Sequence, residues 1–260
     1  KNGVTRRQAL LEFGCDPERL EESRYPEGSI GAYLELHIEQ GPILDKSGEP
    51  IGIVTGISGP LWWTVEMEGF AGHAGSVPMH MRHDALLGAA KVIVALNDIA
   101  RSEPGAPTVG TVGHLEIFPD SRNIIPERVR FTVDLRDIDL ERRNRREKEL
   151  REAIERAANE CGLKYAITED TNSEPRYCAE WIKAIMREES SRLGVNPPEL
   201  MSGPFHDALA LSYACDYGMI FVRCRDGISH NPREFASYED IALGTELLYR
   251  TALRIANREA

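Results

Sequence analysis

Between Ala32 and Gln40 the run AYLELHIEQ alternates apolar and polar residues, the period-two signature of a strand with one packed face. A turn at Gly48 and Pro50 leads into IGIVTGI, a β-branched run that also predicts a strand. Residues 5–23 predict a short helix, followed by a loop around Tyr25-Pro26-Glu27-Gly28. After Gly59-Pro60 the pattern changes register. LWWTVEMEGF alternates as a strand, and the Gly-rich AGHAGSVP leads into a helix from roughly Arg82 to Arg101 whose apolar face includes Leu86, Leu87, Ala90, Val94 and Leu96. TVGTVGHLEIF and RVRFTVDLRD predict two strands joined by a turn at Pro119-Asp120-Ser121. A helix from about Leu140 to Cys161 ends at Gly162 as its C-cap, and LKYAITED adds another strand. The order β-α-β-β-α-β is that of a split βαβ unit with four antiparallel strands and two helices.

From Ser173 onward the chain returns to α/β punctuation. We expect a helix over Ala179–Arg192, a loop at MSGPFHDA, a helix over Leu209–Tyr217, the strand MIFVRC, the loop RDGISHNPREF and a last helix from Ser237. The chain therefore divides into residues 1–60 and 172–260, two segments of one α/β domain, flanking an inserted α+β domain at 61–171.

Composition narrows the partners more than the fold. A net charge of −11 argues against nucleic acid or an anionic membrane, since both demand a positive surface. No apolar run has the length of a bilayer span, and KNGVTRRQALLEFG lacks the apolar core of a signal peptide. The cysteines at 15, 161, 178, 215 and 224 are scattered without a C-x-x-C pair, which favours reduced thiols and a cytoplasmic protein. The run ERRNRREKELRE mixes signs at helical spacing, Arg143 with Glu147 and Arg145 with Glu149, and predicts a solvated helix face.

Four of the seven histidines sit in Gly/Pro-punctuated loops or at strand ends, where chemistry is usually placed: His37, His73, His206 and His230. Neutral imidazole is a common ligand for divalent transition metals, yet any one of these residues taken singly reads more readily as structural or exposed. His37 and His230 share a site only if their loops open at the same edge of the sheet, which the order of elements allows. Gly72 and Gly75 permit a folded-back loop that presents His73, and a plain exposed turn is the alternative. Arg136 in DLRD and Asn123 in SRNIIP suggest a pair able to hold a carboxylate, the guanidinium gripping it bidentately; a surface salt bridge is the competing reading for the arginine.

Taken in order, HIEQGP, GIVTGISGP, GHAGSVPM, PTVGTV, NIIPE, FTVDLRDI, SG-x-x-HDA and GISHNP-x-E resemble the metal-dependent amidohydrolases that include N-carbamoyl-L-amino-acid hydrolases, allantoate amidohydrolases and β-ureidopropionases. The likeness is closest to the first branch, through RNIIPERVRFTVDLRDIDLERRN and FVRCRDGISHNP. The resemblance implies an aminopeptidase-like catalytic domain carrying an inserted lid and dimerisation domain. It implies two divalent ions (Mn, Co, Ni or Zn), with His37 a ligand of one and His230 of the other. Gln40 and His206 would contact or flank the substrate, and Asn123 and Arg136 would clamp its carboxylate. His73 would cross a homodimer interface to stabilise an oxyanion in the partner subunit, while Glu39 would support the His37 loop. The reaction would release the L-amino acid, carbon dioxide and ammonia from an N-carbamoyl-L-amino acid; allantoate and β-ureido acids are the alternative substrates.

Two departures stand out. The family pattern puts a further histidine, a bridging aspartate and a Glu-Glu pair ahead of the residues matching His37, and no counterpart precedes His37 here. The chain thus reads as a carboxyl-terminal portion with an incomplete metal site and little or no activity of its own, and a non-catalytic dimerisation module is the competing class. The second departure is Pro204-Phe205, bulky where the family has small residues.

Overall fold

A computed structural model describes residues 3–26 and 28–258; Glu27, within the expected loop, lies outside the described residues. After a helix α1 (Arg6–Phe13) and a 3-10 turn (Pro17–Ser23), neither with a buried residue, the chain enters β1 (Tyr33–Ile38). There follow α2 (Ile43–Ser47), β2 (Ile51–Ile57), β3 (Gly59–Glu68), α3 (Ala85–Arg101), β4 (Val109–Thr111), β5 (Leu115–Phe118) and β6 (Arg128–Asp137). The order continues with α4 (Leu140–Cys161), β7 (Lys164–Asn172), β8 (Arg176–Tyr177), α5 (Glu180–Arg192), β9 (Glu199–Ser202), α6 (Asp207–Leu211), β10 (Tyr217–Val222) and α7 (Tyr238–Ala256).

Two five-stranded sheets result. The first has the order β1-β10-β2, with β8 and β9 both pairing β2. Every residue of β10 is buried, because the sheet is covered on both faces. Ile51, Ile53 and Ile220 pack against α5 and α7 through Ile182, Met186 and Leu247, while Val54, Met219 and Phe221 pack with Leu44 of α2 and Ala208 of α6. The second sheet is antiparallel, in the order β4-β6-β3-β7 with β5 also on β6. Its inner face, Leu61, Trp63, Val65 and Met67 of β3 with Val129, Phe131, Val133 and Leu135 of β6, packs on α3 and α4. The strict alternation of β3 and β6 leaves Trp62, Asp134 and Arg136 on the opposite, helix-free face.

The chain passes from the first sheet to the second through Ser58 and returns across Ser173–Pro175. The two crossings touch: Ser173 N donates to Pro60 O at 3.0 Å, and a Cβ on Gly59 would lie 2.3 Å from Ser173 O. Only glycine fits there.

Several expectations need correction. The helix expected over Leu209–Tyr217 is the single turn α6, and Tyr217 opens β10. Tyr217 is 2% exposed with its hydroxyl donating to Arg176 O, so burial on both faces outweighs helical spacing. The loop expected at MSGPFHDA starts later: Met201 and Ser202 end β9 (Glu199–Ser202), parallel to β2. TVGTVGHLEIF is two short strands interrupted at residues 112–114, where Thr132 N reaches His114 O instead of a ladder partner. Arg143 is no solvated residue: it is 2% exposed and its Nη1 donates to Gly59 O (3.0 Å) and Ser173 O, its Nη2 to Asn172 Oδ1 (2.6 Å). The ion pairs along α4 are instead Arg151 with Glu147 and Arg146 with Glu149, both at 2.8 Å, and Arg156 with Glu152 at 4.0 Å.

Candidate active-site cleft

β1 runs parallel to β10, so their carboxyl ends open at one edge of the sheet and their following loops meet there. The loop after β1 carries Gln40 and the loop after β10 carries His230, both in the left-handed region at φ 57° and 54°. Such backbone persists only where neighbours over-determine it. Glu39, 6% exposed, caps α2 by accepting from Ile43 N (2.9 Å) and Leu44 N (2.8 Å). On the other loop, His230 N donates to Glu234 Oε2 at 2.9 Å and Asp226 N to Asp45 Oδ2 at 3.0 Å. Gly227, at φ 67°, lies so close to Gly41 that a Cβ would come within 2.5 Å of its carbonyl carbon. The two loops are therefore locked, and Gln40 Nε2 donates to His230 Nε2 at 3.2 Å.

His37, Gln40 and His230 form one wall of a cleft of about 640 Å³. The facing wall comes from the second sheet: Trp62, Val109, Thr111, Asp134 and Arg136. Gly203, Pro204 and Phe205, in the loop between β9 and α6, close its third side. Arg136 pairs with Asp134 through Nε (2.8 Å) and Nη2 (2.7 Å), donates from Nη1 to Gly203 O (2.7 Å), and lies 5.6 and 5.8 Å from the ring centroids of Trp62 and Phe205.

The remaining expected residues lie elsewhere. His206 does not line the cleft: its side chain is 1% exposed behind His37, with ring centroids 4.5 Å apart. Ser202 Oγ gives its proton to Pro204 O (2.9 Å), so His206 Nε2, 2.7 Å away, is the donor of that pair. Glu35 Oε1 stands 3.5 Å from His206 Nδ1, and Glu35 Oε2 accepts from Ala208 N at 2.8 Å. Desolvation pushes the Glu35 carboxyl up, but the hydrogen bonds from His206 and Ala208 outweigh it and hold the group below the usual carboxylate range. Glu35 and Ser202 were missed from sequence. The i, i+2 spacing of Glu35 and His37 on one strand face was the available signal for Glu35; Ser202 had none.

His73 and Asn123 are exposed neighbours on the second sheet's loops, joined by a bridge between His73 and Ile124 and by Ala74 N donating to Asn123 O at 2.8 Å. Asn123 thus sits with His73 and apart from Arg136. His73 Nδ1 accepts from Gly75 N (3.1 Å) and lies 3.2 Å from Ser76 Oγ, which leaves the proton of the neutral ring on Nε2, facing outward as a donor. Arg82, expected to start a helix, instead ties this loop by donating to Val77 O (3.0 Å) and Ala74 O (2.6 Å), and α3 begins after the Asp84 cap.

Divalent-metal binding through imidazole requires an unprotonated nitrogen facing the cleft. His37 Nδ1 lies 2.9 Å from Ile38 O and donates to it, leaving the Nε2 lone pair free, the arrangement usual for a ligating histidine. His230 Nε2 is the acceptor of the Gln40 amide. Ligand atoms of Glu35, His37 and His206 also lie within 4.8 Å of one another, although His206 Nε2 is committed to Ser202. A catalytic ion takes about three protein ligands and a water. His37 Nε2 is free to join such a set, and His230 Nε2 fits it once the Gln40 amide turns away.

Comparison with known proteins now adds to this geometry. Residues 55–162 match the peptidase dimerisation domain, the region of β3 to α4. The chain is 46% identical over 255 residues to an N-carbamoyl-L-amino-acid amidohydrolase of Pseudomonas sp. (strain NS671), and 40% identical over 257 residues to one of Geobacillus stearothermophilus. These alignments cover 97% and 99% of the chain and 62% of each relative. A crystal structure of a hydantoinase/carbamoylase family amidase from Burkholderia multivorans superposes with a TM-score of 0.88 at 35% identity, over 100% of this chain and 62% of that one. Over nearly its whole length the chain is similar to amidases of the hydantoinase/carbamoylase family. Aminopeptidase PepT of Bacillus cereus, 21% identical with a TM-score of 0.64 over 80% of this chain and 55% of that one, shares the fold alone. The chain spans about three fifths of the length of the curated relatives it matches. Its α/β architecture, aminopeptidase-like with a dimerisation domain, is the one the resemblance implied.

Proposed function

We propose that the enzyme to which this chain belongs is a metal-dependent amidohydrolase that cleaves the carbamoyl group from N-carbamoyl-L-amino acids. The observation that carries the reading is the meeting, in one cleft, of His37 and His230 from the first sheet with Arg136 from the second. The activity named for the amidohydrolases of Pseudomonas and Geobacillus agrees with it.

His37 would present its Nε2 to a divalent ion, and His230 its Nε2 once the Gln40 amide moves from it to substrate. When bound, such ions polarise a carbonyl and lower the pKa of water. Gln40, already aimed at His230, orients the ureido group through its side-chain amide. Arg136 receives the α-carboxylate with the N–H groups that Asp134 and Gly203 leave free. His206, enclosed between Ser202, Glu35 and His37, holds the His37 ring in place and does not touch substrate. His73 and Asn123 lie outside the cleft of their own chain and act in the cleft of a second copy, joined through the dimerisation domain. There the outward His73 Nε2–H donates to the developing oxyanion.

The test compares ammonia release from an N-carbamoyl-L-amino acid, allantoate and a β-ureido acid by the full-length enzyme, with and without Arg136→Ala. The carbamoyl amino acid should be turned over fastest, and the variant should raise its KM by about a hundredfold, the loss of a charge-assisted bidentate grip. An unchanged KM removes the clamp. Faster turnover of allantoate changes the substrate assignment.

A further inference from the structure

Arg136 is held more tightly than carboxylate recognition alone requires. A guanidinium has five N–H donors. Asp134 takes two of them, from Nε and Nη2, and Gly203 O takes one from Nη1, which leaves one on each Nη. Asp134 and Arg136 are two positions apart on β6, so both project from the same face of the strand, and Asp134 stands opposite Trp62 of β3 and Thr111 of β4 in register. The side chains are 33% and 19% exposed, inside the cleft and not at its rim.

We propose that Asp134 is the positioning residue of the substrate-binding arginine: it fixes the plane of the guanidinium so that one Nη1–H and one Nη2–H face the substrate carboxylate. This rests on the reading of Arg136 as the carboxylate clamp. Trp62 and Phe205, whose ring centroids are 6.1 Å apart, both lie on one flank of the guanidinium and supply no hydrogen-bond acceptor to it, so they limit its movement towards that flank, and the single bond to Gly203 O does not fix its plane. The bidentate carboxylate fixes that plane. It also neutralises the arginine before substrate arrives. Discrimination in this pocket therefore depends on the placement of two N–H groups more than on net charge, and a substrate lacking a planar carboxylate gains nothing from Asp134.

The experiment measures kcat and KM for the full-length, metal-loaded enzyme on an N-carbamoyl-L-amino acid and on the matching N-carbamoyl amino-acid amide, with Asp134→Ala, Asp134→Asn and Arg136→Ala. Asp134→Ala should raise KM for the acid about tenfold, while kcat for the acid and kcat/KM for the amide change less than threefold. Asp134→Asn, which preserves the size of the side chain and one acceptor, should fall between, and it carries the test if the alanine variant does not fold. Equal losses on acid and amide, or a KM for the acid that stays at the wild-type value, overturn the positioning role. Arg136→Ala separates the two readings. If it leaves the acid unaffected, the clamp itself is wrong; if it impairs the acid while the Asp134 variants do not, only the role of Asp134 falls.

Discussion

Arg143 decides how the second sheet sits against the first, and its removal is the most informative perturbation. Its guanidinium bridges both crossings between the sheets, with Gly59 O on the outward strand and Ser173 O and Asn172 Oδ1 on the return. Arg143→Leu keeps apolar bulk on α4 and removes all three hydrogen bonds. Two backbone carbonyls then lose a charged donor, and an unsatisfied buried polar group costs about 1–3 kcal/mol. Part of that is offset, because burial already lowers the Arg143 pKa and its Nε has no partner. A net destabilisation of about 2–4 kcal/mol follows, or a fall in Tm of roughly 5–15 °C at about 2–4 °C per kcal/mol for a protein of this size. Differential scanning calorimetry on the full-length enzyme reads the shift. Substrate kinetics on the same variant read the consequence for the cleft, since Arg136 arrives from the second sheet and His37 from the first. A Tm within 2 °C of wild type, with KM unaltered, would refute the claim that this buried charge sets the relation between the sheets.

Two further outcomes follow from the cleft and the cysteines. Phe205→Ala removes the aromatic wall 6.1 Å from Trp62 and should shift the ratio of kcat/KM toward substrates with larger side chains by about 10- to 100-fold, measured with N-carbamoyl-L-phenylalanine against N-carbamoyl-L-alanine. The Cys178 thiol is pushed up to about 11 by burial, so it stays protonated at pH 8; Ellman's reagent should label exposed Cys15 in the native protein and leave Cys178 unmodified until denaturant is added.

The alternation of AYLELHIEQ, LWWTVEMEGF and RVRFTVDLRD specified three strands, and the helical period, closed in α4 by the Gly162 cap, specified α3 and α4, while the Asp84 and Asp139 caps emerged with the structure. These signals are local: a strand face repeats every two residues, and a cap bonds backbone within one turn. The eight ordered motifs carried the family as well. Where a run was buried on every side, local periodicity had nothing to report, which is why 217–222 lost its strand start to a predicted helix; 199–202 is only four residues and mostly part-exposed, too short to show a period, and its second half was read as loop.

Among the site residues, the sequence by itself determined which side chains were candidates: His37 and His230 at the ends of strand-loop units, Arg136 on a half-buried strand, and His73 in a glycine loop. It could not determine their company. That His230 meets Gln40 follows from the parallel register of β1 with β10, that His206 is enclosed by Ser202 and Glu35 from the pairing of β9 on β2 beside β10, and that Asn123 lies with His73 from the bridge between their loops. Hydrogen-bond partners are chosen by distance through space. Chain positions far apart in sequence acquire that distance only when the sheets are packed.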